Sequence, residues 1–421
     1  MAKWRHATLG DVCDEVHGLI QTGPFGSQLH QSDYSDLGIP VVMPKDIVEG
    51  RIDTTTIARV SSEHVKRLSR HKLSSGDIVY GRRGDIGRQA LVRPEQAGWM
   101  CGTGCMRISL GESIVQPLFL HYYLRQDDMV RWITKQAVGA TMPNLNTEIL
   151  RSIPIKFPPL PIQRRIAGIL SAYDELIENS QRRIKILESM ARALYREWFV
   201  HFRFPGHESV PRVPSPLGEI PQGWEVRKLA DFVTTKYGYT ESTNVEPVGP
   251  KYLRGMDINK TSFIDWSQVP YCPISQEDHE AYRLKVGDVL VIRMADPGKV
   301  GIVEQEVDAV FASYLIRIAP KYERLSPYFL FYLMESAEYY AYITGASTGT
   351  TRKSASAGVI ADYPFAVPPQ NLISQFEERA SEFRSLLTTL LKQVVNLRRT
   401  RDLLLPRLLS GQIDVEALDH A

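Results

Sequence analysis

The sequence predicts an α+β fold: two duplicated, mixed α/β domains joined by two long helices that form an antiparallel coiled coil, with pseudo-twofold symmetry. Three observations predict it. Trp4, Leu9 and Asp11 recur as Trp224, Leu229 and Asp231, a shift of 220, and Gly76-Asp77-Ile78-Val79 recurs as Gly287-Asp288-Val289-Leu290, a shift of 211. Pro154, Pro158 and Pro159 close the first copy and recur as Pro364, Pro368 and Pro369, a shift of 210. Each proline cluster is followed by a long run with apolar residues at steps of three and four. A period this long is far above that of solenoid repeats and marks two whole domains.

The first copy, residues 1–158, alternates short apolar runs at 39–43, 77–80, 89–92 and 106–110 with glycine-rich and charged turns, the pattern of strands. Over 117–134, Phe119, Tyr122, Tyr123, Met129, Val130 and Ile133 keep helical spacing behind Pro117, so one helix is expected there. A polar loop at 139–146 and a short strand lead into the prolines. Residues 159–204 then form a rod. Ile162, Ile166, Ile169, Tyr173 and Leu176 make one seam, and Ile177, Ile184, Leu187, Ala191, Leu194 and Trp198 continue it out of phase, with the slip near Asn179 and Ser180. About 40 residues at 1.5 Å give roughly 60 Å. So narrow a stripe on so long a helix is a coiled-coil seam.

Residues 205–223, with Pro205, Pro211, Pro214 and Pro216 among glycines and serines, read as a linker. The second copy, 224–369, repeats the order, with strands at 251–253, 288–292 and 301–304 and a helix over 327–343. The second rod, 370–412, has Phe376, Ala380, Phe383, Leu387, Leu390, Val394, Leu397, Leu404 and Leu408 in its seam and Arg401 in one polar slot; Gly411 is the expected stop, before a tail at 413–421. Two rods of similar length pair most simply with each other, and antiparallel pairing relates the two halves by a twofold axis.

Hydrophobic content of 43% and charged content of 23% over 421 residues are those of a globular protein with two or three domains. A net charge of +2 confines any nucleic-acid contact to local patches. Cys13, Cys101, Cys105 and Cys272 form no C-x-x-C pair, so buried thiols of a cytoplasmic protein are expected and zinc is not. There is no apolar signal core and no run of 18 apolar residues to cross a membrane.

The sequence contains no phosphate-binding G-x-x-x-x-G-K-[ST], no G-x-S-x-G elbow, no H-E-x-x-H, and no Asn/Asp-Pro-Pro-aromatic tetrapeptide of adenine methylation. Gly81, Gly84 and Gly87 lie between strands, where a dinucleotide fingerprint does not occur. No catalytic residue and no metal site is therefore expected. What recurs is a set of polar turns. The first, 21–28, offers Thr22, Phe25 and Ser27; residues 237–244 match it only loosely. The second offers Arg82, Arg83 and Arg88, matched by Arg293 and Lys299. The third offers Thr141 and Asn144, matched by Thr350, Thr351, Arg352 and Lys353. Lys45 and Arg254 join them as basic candidates. Such side chains donate to phosphates, and Arg and Asn can grip a base edge with two hydrogen bonds. Asp77 and Asp288 are expected to close structural turns.

The chain resembles the specificity subunits of type I restriction–modification systems over nearly all its length. The resemblance rests on GPFGSQLHQSDYSDLGIPVVMPKDI (23–47), GDIVYGRRGDIGRQALV (76–92), IPIKFPPLPIQRRIAGILSAYDELI (153–177) and RDLLLPRLLSGQIDV (401–415), in an order repeated around two long helices. It implies that the two domains are target-recognition domains. Each would read one half of a bipartite, asymmetric double-stranded DNA site, and the helical pair would set the gap between the halves. It implies no catalysis and no cofactor in this chain. The partners would be two methyltransferase subunits and, where a nuclease is present, two restriction subunits, which would carry S-adenosylmethionine, ATP and Mg2+. The location would be cytoplasmic. In the second copy Asp296-Pro297 replaces Asp85-Ile86, and PPQNL replaces PPLPI.

Overall fold

The computed structural model describes residues 4–82, 86–137, 144–322, 324–348 and 353–417. The chain divides into two units: 1–179 with 393–421, and 180–392.

Unit 1 is built on a four-stranded antiparallel sheet, in the order Leu19–Thr22, Cys105–Ser109, Ile78–Gly81, Gln89–Leu91. Ile78, Val79 and Tyr80 are all buried, because both faces of this strand are covered. Strand Ile39–Val42 runs parallel to Met100–Cys101 and antiparallel to Arg59–Val60. Strand Arg5–Thr8 pairs with Pro154–Phe157, so the start and end of the domain are held together. Unit 2 repeats the plan with Val233–Tyr237, Leu315–Pro320, Val289–Ile292 and Val300–Ile302 in the central sheet. Lys251–Leu253 lies parallel to Ala309–Phe311, and Glu225–Lys228 pairs with Pro364–Val367. The duplication is thus one of topology and register: Thr22 faces Met106, as Tyr237 faces Ile316.

The single helix expected over 117–134 is two, Pro117–Leu124 and Asp127–Gln136. The backbone of Gln126 turns extended (φ −61, ψ 139), and its side-chain amide donates back to Tyr123 O at 3.2 Å. The second copy breaks likewise, into Pro327–Glu335 and Ala337–Ala346, where the Ser336 hydroxyl accepts from the Tyr339 N–H at 3.2 Å. A capping residue that satisfies orphan N–H groups lets one apolar stripe serve two helices at an angle. The expected linker is also more ordered than its composition suggests. Arg212–Ser215 and Gly218–Pro221 form a hairpin, with Ile220 buried in the core of unit 2.

The first long helix covers Leu160–Tyr195, relaxes into a π turn over Arg196–Val200, and gives way to Phe202 at φ +57. The second covers Gln370–Ser410, runs through Pro406, and stops at Gly411, φ +78. In unit 1, Ile166 and Leu170 pack in one cluster with Leu408 and Leu409, and Asp174 meets Arg401. In unit 2, Ala191, Tyr195 and Phe199 pack with Ile373, Phe376 and Ala380. In each unit the two helical segments therefore run antiparallel.

The seam of the first helix departs from its predicted phase: Gln163, Leu170, Tyr195 and Phe199 are buried, whereas Ile162, Ile169, Leu194 and Trp198 are only partly buried. Leu176 is 50% exposed, while Ile177 and Ser180 are buried. The slip expected near Asn179 and Ser180 is absent: Ile166, Leu170, Ile177, Ser180, Ile184 and Leu187 are buried in one continuous phase, with Asp174 in the slot between Leu170 and Ile177. Arg401 holds Asp174 in that slot: its Nη1 lies 2.5 Å from Asp174 Oδ1, and the Tyr122 hydroxyl donates to Oδ2 at 2.7 Å. Burial works to raise the Asp174 carboxyl, but Tyr122 and Arg401 outweigh it and hold it below the usual carboxylate range. The four cysteines are buried free thiols, and burial pushes Cys101 up to about 12. Among the described residues no helix is long and apolar enough to cross a membrane.

Candidate nucleic-acid interface

In unit 1 the polar turns converge on one end of the central sheet. Thr22 ends one strand, Gly81 ends another, and Cys105 begins the strand between them; Thr22 pairs with Met106 and Gly81 with Cys105. Arg82 continues from Gly81. Its N–H donates to Gly104 O at 2.8 Å, and its carbonyl accepts from the Leu145 N–H at 3.0 Å. Its Nε donates to Asn144 Oδ1 and to Leu145 O, both at 3.1 Å. The second and third turns, 62 residues apart, are thereby one structure. The first turn passes at van der Waals range. A Cβ on Gly23 would lie 2.1 Å from Gly102 O, so only glycine fits there. Beyond it Phe25 stands 56% exposed on a turn that its own N–H closes onto Gln28 Oε1 at 3.1 Å, with Ser27 exposed beside it. Lys45 is exposed on the turn Pro44–Asp46, where Asp46 caps the Met43 N–H at 2.9 Å. Arg88 is exposed on the second turn.

Unit 2 builds the same junction. The Arg293 N–H donates to Tyr314 O at 2.9 Å, and its carbonyl accepts from the Ala355 N–H at 2.9 Å. The Ala295 N–H donates to the carbonyl of the exposed Lys353 at 3.0 Å. A Cβ on Gly238 would lie 2.2 Å from Ala312 O, repeating the Gly23 contact. The side chains differ. The Arg293 guanidinium lies over the Tyr237 ring, 4.9 Å from its centroid, and the Lys299 ammonium lies 4.8 Å from that of Tyr340. The Tyr340 hydroxyl donates to Asp296 at 3.1 Å.

Most candidates named from the sequence are therefore brought together within their own unit. Arg254 is a special case. It stands where unit 1 has Met43, and its fork closes on Asp257 (Nε 3.0 Å, Nη2 2.8 Å), so its charge serves the turn. Met256, 59% exposed, takes the place of Lys45. Arg83, Thr141, Thr350, Thr351 and Arg352 lie outside the described residues. Asp77 and Asp288 close turns as expected, accepting from the Ser74 and Lys285 N–H groups at 2.8 Å. Burial pushes both carboxyls up despite Arg107 at 3.8 Å and Arg317 at 3.6 Å. Tyr237, Tyr314 and Tyr340 were not singled out in the sequence. The loose match of 237–244 to 21–28 hid Tyr237, and only strand pairing shows that it occupies the place of Thr22.

The arrangement offers donors, cations and aromatic faces on loops carried by a rigid sheet, which is equipment for binding rather than for bond-breaking.

The family model described as type I restriction modification DNA specificity domain matches residues 1–189 and 221–393, one match to each copy. The type I restriction enzyme MjaIX specificity subunit of Methanocaldococcus jannaschii is 26% identical over 90% of this chain and 88% of its own. The HindI specificity subunit of Haemophilus influenzae is 21% identical over 98% and 100%. The crystal structure of the type I restriction–modification S subunit from M. genitalium superposes with a TM-score of 0.60 at 16% identity, over 97% of this chain and 96% of that one. With both copies matched across most of their length, the chain belongs to the type I restriction modification DNA specificity family.

Proposed function

We propose that this chain is the sequence-specific, non-catalytic DNA-recognition subunit of a type I restriction–modification complex. Each unit reads one half of a bipartite, asymmetric site. The chain positions two adenine-methylating subunits and, where a nuclease is present, two restriction subunits. S-adenosylmethionine, ATP and Mg2+ belong to those partners. One observation carries this reading: the same loop junction is built twice on the same sheet register, with different side chains at equivalent places. Arg82 is held by an amide and a carbonyl, whereas Arg293 is held by an aromatic ring. Two like frames with unlike reading surfaces suit two unlike half-sites. The net charge of only +2 fits an assembly in which the partners make many of the phosphate contacts.

Two results are expected. Arg82→Ala weakens recognition of one half-site by about 1–3 kcal/mol and leaves the other unchanged; competition binding with duplexes altered in one half at a time measures this, and equal weakening of both halves refutes it. Inserting one heptad into each long helix at matched seam positions adds about 10 Å, or about three base pairs, to the tolerated gap. The methylated motif of cells carrying the variant reports the gap, and an unchanged gap refutes a measuring role for the helices.

A further inference from the structure

Among the described residues at the junction of unit 2, Arg293 is a side chain whose surroundings are incomplete. Three other arginines packed into this unit have carboxylates: Arg254 has Asp257, Arg317 has Asp288, and Arg384 has Glu304. No carboxylate pairs with Arg293 among the described residues, and its Nε is buried without a hydrogen-bond partner. A half-buried guanidinium with an orphaned Nε carries a desolvation cost that folding does not offset, which marks a group held for another purpose.

Its pose is nevertheless fixed. The backbone is bonded on both sides, to Tyr314 and Ala355. The guanidinium rests on Tyr237, whose hydroxyl accepts from the Ala357 N–H at 3.0 Å and whose strand pairs it with Ile316. Stacking on a ring anchored at both ends sets the plane of the fork. A fork of fixed plane suits two coplanar acceptors, which guanine presents as O6 and N7 in the major groove. A phosphate, which accepts from many directions, does not need the plane fixed. Unit 1 lacks the device. Thr22 stands in the place of Tyr237, and Arg82 spends its Nε on Asn144 and Leu145.

We infer that Arg293 reads a guanine in the half-site of unit 2, and that Tyr237 is the positioning residue that aims it. This rests on the DNA-recognition role proposed above and adds to it one base and one supporting residue. The test is selection from a duplex library, randomised across the site, by the full chain co-expressed with its methylating partners. The native protein enriches a bipartite motif with a guanine at one position of one half. Arg293→Ala removes that preference, roughly five- to hundredfold, and alters no other position. Arg293→Gln, which offers one donor and one acceptor, loses guanine there too and turns toward adenine or no base. Tyr237→Phe keeps the ring and keeps the guanine; Tyr237→Leu lowers the guanine preference at the same position with Arg293 still present. Guanine retained by Arg293→Gln overturns the inference. So does uniform weakening on all sequences with a shallower salt dependence, the mark of a phosphate contact. If the native complex enriches no motif, the recognition role falls with it.

Discussion

Replacing Arg384 by alanine is expected to cost about 3–5 kcal/mol of stability, which for a unit of this size lowers the unfolding temperature by roughly 10 °C. Arg384 lies on the second long helix and is 1% exposed. Its Nε donates to Glu304 Oε1 at 2.7 Å, its Nη2 bonds Glu304 Oε2 and, at 2.8 Å, Ser262 O, and its Nη1 donates to the Ser262 hydroxyl at 3.0 Å. The guanidinium also covers Phe331, 5.3 Å from the ring centroid. Burial opposes its charge, but Glu304 outweighs burial and keeps the guanidinium protonated. Removing it strands Glu304, which is 11% exposed and whose one further side-chain donor among the described residues is the Tyr328 hydroxyl at 3.2 Å. Most of the loss is that orphaned carboxylate. Removing both charges together, with Arg384→Met and Glu304→Met, should therefore cost less than Arg384→Ala alone. Thermal unfolding of the full chain decides between them. The exposed pair Arg379–Glu382, 62% and 61% accessible, is the control and should contribute well under about 1 kcal/mol. A loss at Arg384 no larger than at Arg379 would sink the idea.

Phe376→Ala should be as damaging, at about 3–5 kcal/mol. The ring is fully buried and has Tyr195, Trp198, Phe199, Phe329 and Tyr332 around it, with centroids between 5.2 and 6.4 Å. These rings come from the end of the first long helix, the start of the second and the helix Pro327–Glu335. Phe376 therefore joins both rods to the globular part of unit 2. Mostly edge-to-face contacts add to area burial. An alanine leaves a cavity that three backbones cannot close at once. Phe376→Leu, which keeps most of the volume, should cost less than half as much. Denaturant midpoints of the two variants measure the difference, and equal costs would mean that shape matters less here than the geometry implies.

The duplicated architecture was legible because repeats and seam periodicity are long-range signals that survive local exceptions. Strands such as 39–43 and 251–253 were legible for the same reason: apolar runs between glycine-rich turns. The missed features are local contests. Gln126, by turning extended and donating back to the Tyr123 carbonyl, and Ser336, by capping, break the helices although the apolar stripe continues through them. Asp174 takes a seam slot because Arg401, 227 residues away in sequence, faces it; apolar spacing alone placed Leu176 in the seam. The hairpin at 212–221 forms among prolines because Ile220 has a core to enter. In the interface, Arg82, Asn144, Arg293 and Lys353 were visible as recurring polar turns. Tyr237 was not, since an insertion shifts the first turn of the second copy and only strand register restores the correspondence.

The pairing of Arg5–Thr8 with Pro154–Phe157, and of Glu225–Lys228 with Pro364–Val367, has a consequence for how such a protein changes its target. Each module enters and leaves through a single two-stranded clasp, with the two chain ends about 5 Å apart. Everything between the clasps can be exchanged as a cassette, provided that the newcomer delivers its ends at that separation. The helix that follows then starts from the same point and heading. A new half-specificity can thus be acquired in one recombination event, without retuning the rest of the machine.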